Sequence, residues 1–233
     1  MSSHDEKITM DFLGFVRDRR VAIVGPSRSI VESGLGGDID SHDLVVRLNH
    51  GWPVPAARRA DLGGRVDVLY HCCNGDHGVD RVFARGVDRL RWACFERNAD
   101  APVLLAACQR AGIGTLDVTP VYAALRSCLR SPPNTGLVAI HHLLDTRAAA
   151  MSLFGMTFFK EPYHTGYAGD GAAAANWPAD GSPPARIWHH DMVAQYRYFT
   201  DLCRREPRLA VDPVSLAVMP EVRLALATRD GVA

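Results

Sequence analysis

The 233-residue chain has no excess of charge of either sign, because its 26 basic and 26 acidic side chains balance. A neutral protein has no general attraction for phosphate backbones or anionic membranes, and the arginines are spread along the chain rather than clustered. We therefore expect neither nucleic acid nor a membrane surface as a partner. With 47% hydrophobic and 22% charged residues, the composition is that of a soluble globular protein with a sizeable core.

Long apolar runs and cysteine motifs are also absent. No apolar stretch is long enough to span a bilayer, and the polar start, Met-Ser-Ser-His-Asp-Glu-Lys, lacks the core of a signal peptide. The six cysteines have no CxxC spacing, which argues against a zinc site. Without an export signal we expect reduced, partly buried thiols. The expected compartment is the cytoplasm of a bacterium, which the content of alanine and arginine favours.

Short apolar runs and helical patterns alternate along the chain. Strands are predicted over residues 20–25, 44–48, 66–70, 89–95 and 151–154. Helices are predicted over residues 101–111, 121–130, 137–149 and 190–205. The alternation predicts an α/β fold: a single domain with a mostly parallel, Rossmann-like sheet flanked by helices, in which ligands gather at the carboxyl ends of the strands.

Residues 163–184 are rich in glycine, alanine and proline, which predicts a long, mobile surface loop. Because loops of this length are usually functional, we expect it to act as a lid over the site.

Short cofactor motifs are weak or missing. The glycines between Gly34 and Gly37 lack the third glycine of the dinucleotide fingerprint and lie far from the end of the first strand. Asp38-Ile39-Asp40 forms a DxD pattern, which arises often by chance and is a weak sign of a metal. The P-loop and Gly-x-Ser-x-Gly patterns are absent. We therefore expect neither a metal nor a cofactor.

A longer signal runs from residue 21, where the chain reads VAIVGPSRSIVESGLGGDIDSHDLVVRLNHG, followed by Ala60-Asp61-Leu62-Gly63. Further along come Pro133-Asn134-Thr135-Gly136, an apolar helix, and Ser152-Leu153-Phe154-Gly155-Met156. The last two pieces are Pro162-Tyr163-His164 and His190-Asp191-Met192-Val193-Ala194-Gln195.

These pieces resemble the four motifs of the eukaryotic-type sialyltransferases, glycosyltransferase family 29, in the same order. The run from residue 21 to Gly63 resembles the large motif, and the stretch from Pro133 to Met156 resembles the small motif. Pro162-Tyr163-His164 resembles the third motif, and the segment from His190 to Gln195 resembles the last. The resemblance covers most of residues 20–205. It implies a variant GT-A type fold and a metal-independent, inverting transfer of a sialic acid from its CMP ester to a hydroxyl group.

The resemblance also implies roles for single residues. The donor-binding positions would be Gly25, Ser27, Asn49, Thr135 and Gly136. The CMP ester carries one phosphate, which backbone N–H groups, a hydroxyl and an amide can hold without a metal.

Two histidines match the catalytic positions of the family. His190 would be the general base that takes the proton of the attacking hydroxyl, since the pKa of histidine lies near the working pH. His164 would hydrogen-bond the departing phosphate. The neighbouring His189 can fill either role, and the sequence does not separate it from His190.

Other residues of the motifs have structural interpretations. We expect His42 and Asp43 to shape the bend after the glycines and Arg47 to anchor an internal hydrogen-bond network. Asp61 and Gly63 are expected to cap and turn the chain.

The chain departs from the family pattern at several points. Pro26 replaces an asparagine, which removes an amide and a backbone N–H from the nucleotide site. Val21 replaces one cysteine of the family's disulfide, and the small motif has no partner cysteine. Gln195 replaces the acid of the last motif, so it can orient a neighbour but cannot hold a cationic histidine as a carboxylate would. The membrane anchor and stem of the animal enzymes are not seen.

We therefore expect an α/β catalytic domain at residues 20–211, a helical lead-in at 1–19 and a C-terminal segment at 212–233. The predicted function is a glycosyltransferase that moves sialic acid or the related keto-sugar Kdo from CMP to a glycan or small-molecule acceptor. The alternatives are a CMP-ester hydrolase, a transferase specialised for small molecules, and a CMP-binding module without catalysis.

Overall fold

A parallel sheet lies at the centre of the computed structural model, which describes residues 3–75, 79, 83, 89–167 and 190–231. Its seven strands within these ranges are β1 (Arg20–Val24), β2 (Leu44–Leu48), β3 (Val68–His71), β4 (Trp92–Phe95), β5 (Gly114–Asp117), β6 (Ala150–Phe154) and β7 (Leu209–Val211). The order across the sheet is β5-β4-β3-β2-β1-β6-β7, and every neighbouring pair is parallel. This confirms the predicted fold class.

The described helices connect and flank the strands. They are α1 (Ser3–Val16), α2 (Gly36–Asp40), α3 (Arg59–Leu62), α4 (Ala101–Ala111), α5 (Thr119–Leu129), α6 (Thr135–Leu144), α7 (Met192–Arg205), α8 (Pro213–Ala217) and α9 (Pro220–Arg229). None of these helices has the length and apolar character needed to cross a membrane.

The central strands are buried on both faces, which explains their continuous apolar sequence. In β1, Val21 and Ile23 pack into one core cluster, while Ala22 and Val24 pack into another on the opposite face. The chain runs outward from β1 to β5 and then returns to place β6 on the other side of β1. In open α/β sheets, such a switch point leaves a crevice at the carboxyl ends of the strands, where ligands bind.

Both ends of the described chain join the larger core. Phe12 and Val16 of α1 lie in the same buried cluster as Val222 and Leu226 of α9. The boundaries at residues 19 and 211 stay a prediction.

Some predicted elements need correction. The helix predicted over 137–149 runs from Thr135 to Leu144, since Asn134 is its N-cap and Asp145 its C-cap. The hydroxyl of Thr146 bonds to the carbonyl of Leu143 in the turn that follows. The helix predicted from 190 begins at Met192, since Asp191 is its N-cap. The strands β5 and β7 were not predicted: the first is a partly exposed edge strand, and the second has only 3 residues.

All six cysteines lie in the described part of the chain, and none forms a disulfide. Five are buried and Cys128 is exposed. Burial raises the pKa of the Cys72 thiol to about 12, so this thiol is not reactive at neutral pH. The burial expected for the thiols is found at five of the six positions, and their reduced state stays a prediction.

Candidate active site

The loop after β1 is held between β6 and the third motif. The N–H of Gly25 donates to the carbonyl of Phe154 at 2.7 Å, and the N–H of Ser27 donates to that of Gly155 at 3.0 Å. On its other side, Ser27 forms an antiparallel bridge with Tyr163. The N–H of His164 donates to the carbonyl of Pro26 at 2.8 Å. The fold thus brings the first and third motifs together, with His164 beside the loop.

His164 is 9% exposed, and its Nδ1 lies 3.2 Å from the carbonyl oxygen of Thr165. Because a carbonyl only accepts, Nδ1 is the donor. Burial lowers the pKa of His164 below its ordinary value, and Arg58 and Arg47 lower it further, against the bond to Thr165. The neutral ring therefore carries its proton on Nδ1 and its lone pair on Nε2.

The side chain of Asn49 joins β2, β3 and α6. Its Oδ1 accepts from the N–H of Cys72 at 2.9 Å, and its Nδ2 donates to Thr135 Oγ1 at 3.2 Å. Asn49 is 7% exposed and has φ 43°, in the left-handed region, which asparagine tolerates better than most residues. Two predicted donor-binding residues from distant motifs, Asn49 and Thr135, are therefore in direct contact.

Met156 lies between the two predicted donor glycines. A Cβ on Gly25 would lie 2.4 Å from Met156 Sδ and 2.5 Å from the carbonyl oxygen of Gly155. A Cβ on Gly136 would lie 2.5 Å from Met156 Cε. Both glycines are thus required for packing, a reason independent of any ligand. Their donor-binding role stays a prediction.

The hydroxyl of Ser27 has partners in its own loop. It accepts from the N–H of Ser29 at 3.2 Å and lies 2.9 Å from Ser29 Oγ. Ser27 is 2% exposed. A phosphate would have to share this hydroxyl with the cap of the short 3₁₀ helix Arg28–Ile30.

His190 contacts the segment that precedes α6. Its Nδ1 donates to the carbonyl oxygen of Pro132 at 2.8 Å. The next residue, Asp191, caps α7 by accepting from the N–H of Ala194 at 2.9 Å, and its own N–H donates to Ser131 Oγ at 2.8 Å. The last motif is thereby attached to the start of the small motif. In the neutral ring the lone pair is on Nε2, the form that a general base requires.

Two predictions lie outside the described residues. They are the alternative base His189 and the part of the predicted lid from 168 to 184.

The residues interpreted as structural have structural contacts. Arg47 is 1% exposed and donates to the carbonyls of Leu62 at 2.7 Å and Arg65 at 3.0 Å, and burial lowers its pKa to about 10. Asp61 accepts from the N–H of Gly34 at 3.0 Å. The internal network predicted for Arg47 is confirmed.

The DxD pattern has a structural use as well. The carboxylate of Asp40 accepts from the backbone N–H groups of Gly64 at 2.7 Å and Arg65 at 3.1 Å. Within the described ranges, no group of three or more histidine, cysteine, aspartate or glutamate side chains could hold a metal ion.

Two residues near the site were not predicted from the sequence. Tyr167 donates its hydroxyl to the carbonyl of Leu48 at 3.0 Å, and its ring lies 5.8 Å from that of His164, centre to centre. Glu96 is 6% exposed, and burial raises its pKa to about 8. Glu96 directly follows the predicted strand 89–95. Because ligands bind at the carboxyl ends of parallel strands, this position in the sequence could have marked Glu96 as a candidate site residue. Nothing in the sequence indicates the contact of Tyr167 with a backbone carbonyl.

Comparison with known proteins confirms the resemblance that the motifs predicted. The model of glycosyltransferase family 29 (sialyltransferase) matches residues 14–79. The curated Sialyltransferase-like protein 2 of Oryza sativa subsp. indica is 30% identical over 101 residues, which are 41% of this chain and 23% of that protein. The matched region is thus under a quarter of the length of this relative.

Two solved structures of a mammalian sialyltransferase share the fold. One is a complex with Gal-beta-1-3GalNAc-ortho-nitrophenol, and it aligns with a TM-score of 0.56 and 16% identity over 91% of this chain and 86% of that chain. The other aligns with a TM-score of 0.56 and 15% identity over the same shares. The predicted GT-A-like fold, which these two structures share, is confirmed.

Proposed function

We propose, from this resemblance to the glycosyltransferase family 29 sialyltransferases, that the chain is a CMP-sugar-dependent glycosyltransferase. It transfers an acidic sugar, sialic acid or Kdo, to a hydroxyl group of a glycan or small molecule, without a metal and with inversion. The observation that carries the proposal is the network at the carboxyl ends of β1 and β2. There His164 contacts the loop of Pro26, and Asn49 contacts Thr135.

This arrangement suits a donor with a single phosphate. The phosphate would lie near the loop after Gly25 and the amino-terminal end of α6, where the helix dipole favours an anion. Asn49 and Thr135 supply neutral hydrogen-bonding groups at that helix end. The neutral charge of the whole chain fits a donor held by a few local polar groups.

His190 is the proposed general base. The acceptor hydroxyl attacks the anomeric carbon and gives its proton to Nε2 of His190. As the new C–O bond forms, the bond from the anomeric carbon to the phosphate oxygen breaks, and CMP leaves with that electron pair. The hydrogen bond from Nδ1 to Pro132 stabilises the imidazolium that results.

His164 is the proposed partner of the leaving phosphate. Its lowered pKa favours the neutral ring before the donor binds. The charge that grows on the phosphate raises this pKa, because an opposite charge favours the protonated ring. His164 then takes a proton from solvent water on Nε2 and donates a hydrogen bond through it to the departing phosphate.

The expected location is the bacterial cytoplasm. The loss of the family's cysteine pair, with Val21 at its first position, supports this proposal, because a protein in a reducing compartment does not form that disulfide.

Release of CMP tests the function. The chain is incubated with CMP-sialic acid or CMP-Kdo in the presence of EDTA, with and without Gal-β-1,3-GalNAc as acceptor. We expect acceptor-dependent CMP release that falls roughly 100-fold or more in His190→Ala and His164→Ala. His141→Gln, which alters a histidine bonded to Tyr198 at the far end of α6, should keep the activity.

Other outcomes assign other functions. Equal release without any acceptor would indicate a CMP-ester hydrolase. Tight CMP binding without turnover would indicate a binding module. No release from either donor, together with no effect of the histidine variants, would refute the proposal.

A further inference from the structure

Gln195, which stands where the family pattern has an acid, is fully buried on α7. Its Nε2 donates to the carbonyl oxygen of Pro132 at 3.1 Å, and its Oε1 accepts from the N–H of Asn134 at 2.9 Å. One amide therefore holds both sides of Pro133 and fixes the segment that leads into α6.

The same carbonyl oxygen binds His190. Pro132 accepts from Nδ1 of His190 at 2.8 Å as well as from Gln195. A carbonyl oxygen has two lone pairs, so both bonds are satisfied together. Since Nδ1 of His190 donates to this oxygen, the direction of the Pro132 carbonyl helps to orient the ring and favours the proton on Nδ1.

The second bond of Gln195 reaches the donor side. Asn134 caps α6, because its Oδ1 accepts from the N–H of Leu137 at 2.9 Å. The following residue, Thr135, is the partner of Asn49. Gln195 thus connects the histidine to the helix end that is proposed to face the phosphate.

We propose that Gln195 is a positioning residue for the reaction: it holds the Pro132 carbonyl so that His190 keeps its proton on Nδ1 and its lone pair on Nε2. The catalytic part of this inference rests on the proposed function. An ionised carboxylate at this position would accept from Asn134 but would have no proton for Pro132, and two acceptors would face each other in a buried place; a glutamate replaces the amide only when it is protonated. The amide is therefore the group that this segment requires.

The first test measures the tautomer without any reaction. Nitrogen-15 spectra of the full chain are recorded for the wild type, Gln195→Glu and Gln195→Leu at roughly pH 9.5, where a buried glutamate is ionised, and the His190 signals are assigned with His190→Ala. The wild type should show the proton on Nδ1, and both variants should lose this single form. Gln109→Glu and Gln109→Leu, on the exposed face of α4, are the matched controls and should leave the spectrum unchanged.

The second test measures kcat. We expect Gln195→Leu and Gln195→Glu to lower kcat roughly 10-fold to 100-fold, as misplacement of a catalytic group does. In the His190→Ala background the same changes should cost little more, because Gln195 acts through that ring. If Gln195→Leu does not fold, Gln195→Glu decides the result, since it is close in shape and keeps an acceptor for Asn134.

Three results would overturn the inference. They are an unchanged His190 tautomer in the folded variants, full additivity with His190→Ala, and a higher kcat in Gln195→Glu than in the wild type. If the wild type releases no CMP, the proposed function fails, but the nitrogen-15 spectra still decide whether Gln195 fixes the ring.

Discussion

The N–H of His164 donates to the carbonyl oxygen of Pro26 at 2.8 Å, so the proline that departs from the family pattern is itself what holds the third-motif histidine. Proline removes an N–H and an amide from the nucleotide site, but any residue at this position would keep the carbonyl. Proline in place of asparagine at position 26 therefore removes hydrogen-bond donors that the loop could offer to a phosphate, but it keeps the carbonyl that positions His164.

Pro26→Asn should return those donors. We expect tighter CMP binding by calorimetry, with free energy of unfolding lowered by about 0.5–1 kcal/mol because the unfolded chain gains freedom. The bond from His164 should persist in a structure of the variant. Weaker CMP binding in a folded variant would contradict this account of the loop.

The packing around Met156 predicts unequal effects of two similar substitutions. Gly25→Ala should destabilise the protein by about 2–3 kcal/mol, because its Cβ meets the backbone carbonyl of Gly155 as well as the methionine. Gly136→Ala should cost less, since its closest contact is the flexible methyl end of Met156. Urea denaturation gives both values.

Met156→Ala distinguishes the clash with the Met156 side chain from the clash with the carbonyl of Gly155. In that background Gly136→Ala should cost clearly less than in the wild type, whereas Gly25→Ala should keep most of its cost. Equal relief for both substitutions would show that the carbonyl of Gly155 is not the obstacle.

Asn49 should matter for both stability and donor binding. Asn49→Ala leaves the buried N–H of Cys72 without its acceptor, which costs about 1–3 kcal/mol of unfolding free energy. Asn49→Asp keeps that acceptor but loses the donor to Thr135. We expect both variants to bind CMP more weakly, and the aspartate to be the more stable one. An aspartate variant with wild-type CMP affinity would rule out a role of the amide N–H.

His142 predicts a dependence of stability on pH. Burial lowers its pKa to about 4 from the ordinary 6.5, with Nδ1 lying 2.7 Å from the hydroxyl of Tyr70. The unfolded chain then binds the proton more readily, so stability is full above about pH 6.5 and is lost as the pH falls toward 4. The contribution of this residue should fall by about 2 kcal/mol between pH 7 and pH 5.

The control for this dependence is His142→Gln. It should be less stable at pH 7 but should show a flatter change between pH 7 and pH 5 in urea denaturation. The buried His164, whose pKa is also lowered, adds a slope of the same sign that the variant retains. An unchanged slope in His142→Gln would contradict the assignment.

The sequence predicts the centre of the fold better than its edges. The strands β1 and β2 are buried on both faces, so their continuous apolar runs are easily recognised. The edge strand β5 contains Gly114 and Thr115, which are only partly buried, and β7 is too short to produce a pattern. Their position depends on pairing with distant strands, which composition does not encode.

The candidate site is predictable where it consists of side chains in motifs. The motifs predict roles for His164 and His190 in this way, and the contact between Asn49 and Thr135 joins two further residues that the motifs mark. The use of backbone carbonyls could not be predicted. Tyr167 bonds to Leu48 through one, and such contacts depend on the path of the main chain rather than on residue type.

A crystal structure of the complex with CMP tests the central claim most directly. The proposal predicts the phosphate between the loop after Gly25 and the amino-terminal end of α6, with Nε2 of His164 and the amide of Asn49 within hydrogen-bond distance of the nucleotide. CMP bound at another place, or a saturated crystal without nucleotide at these strand ends, would contradict it.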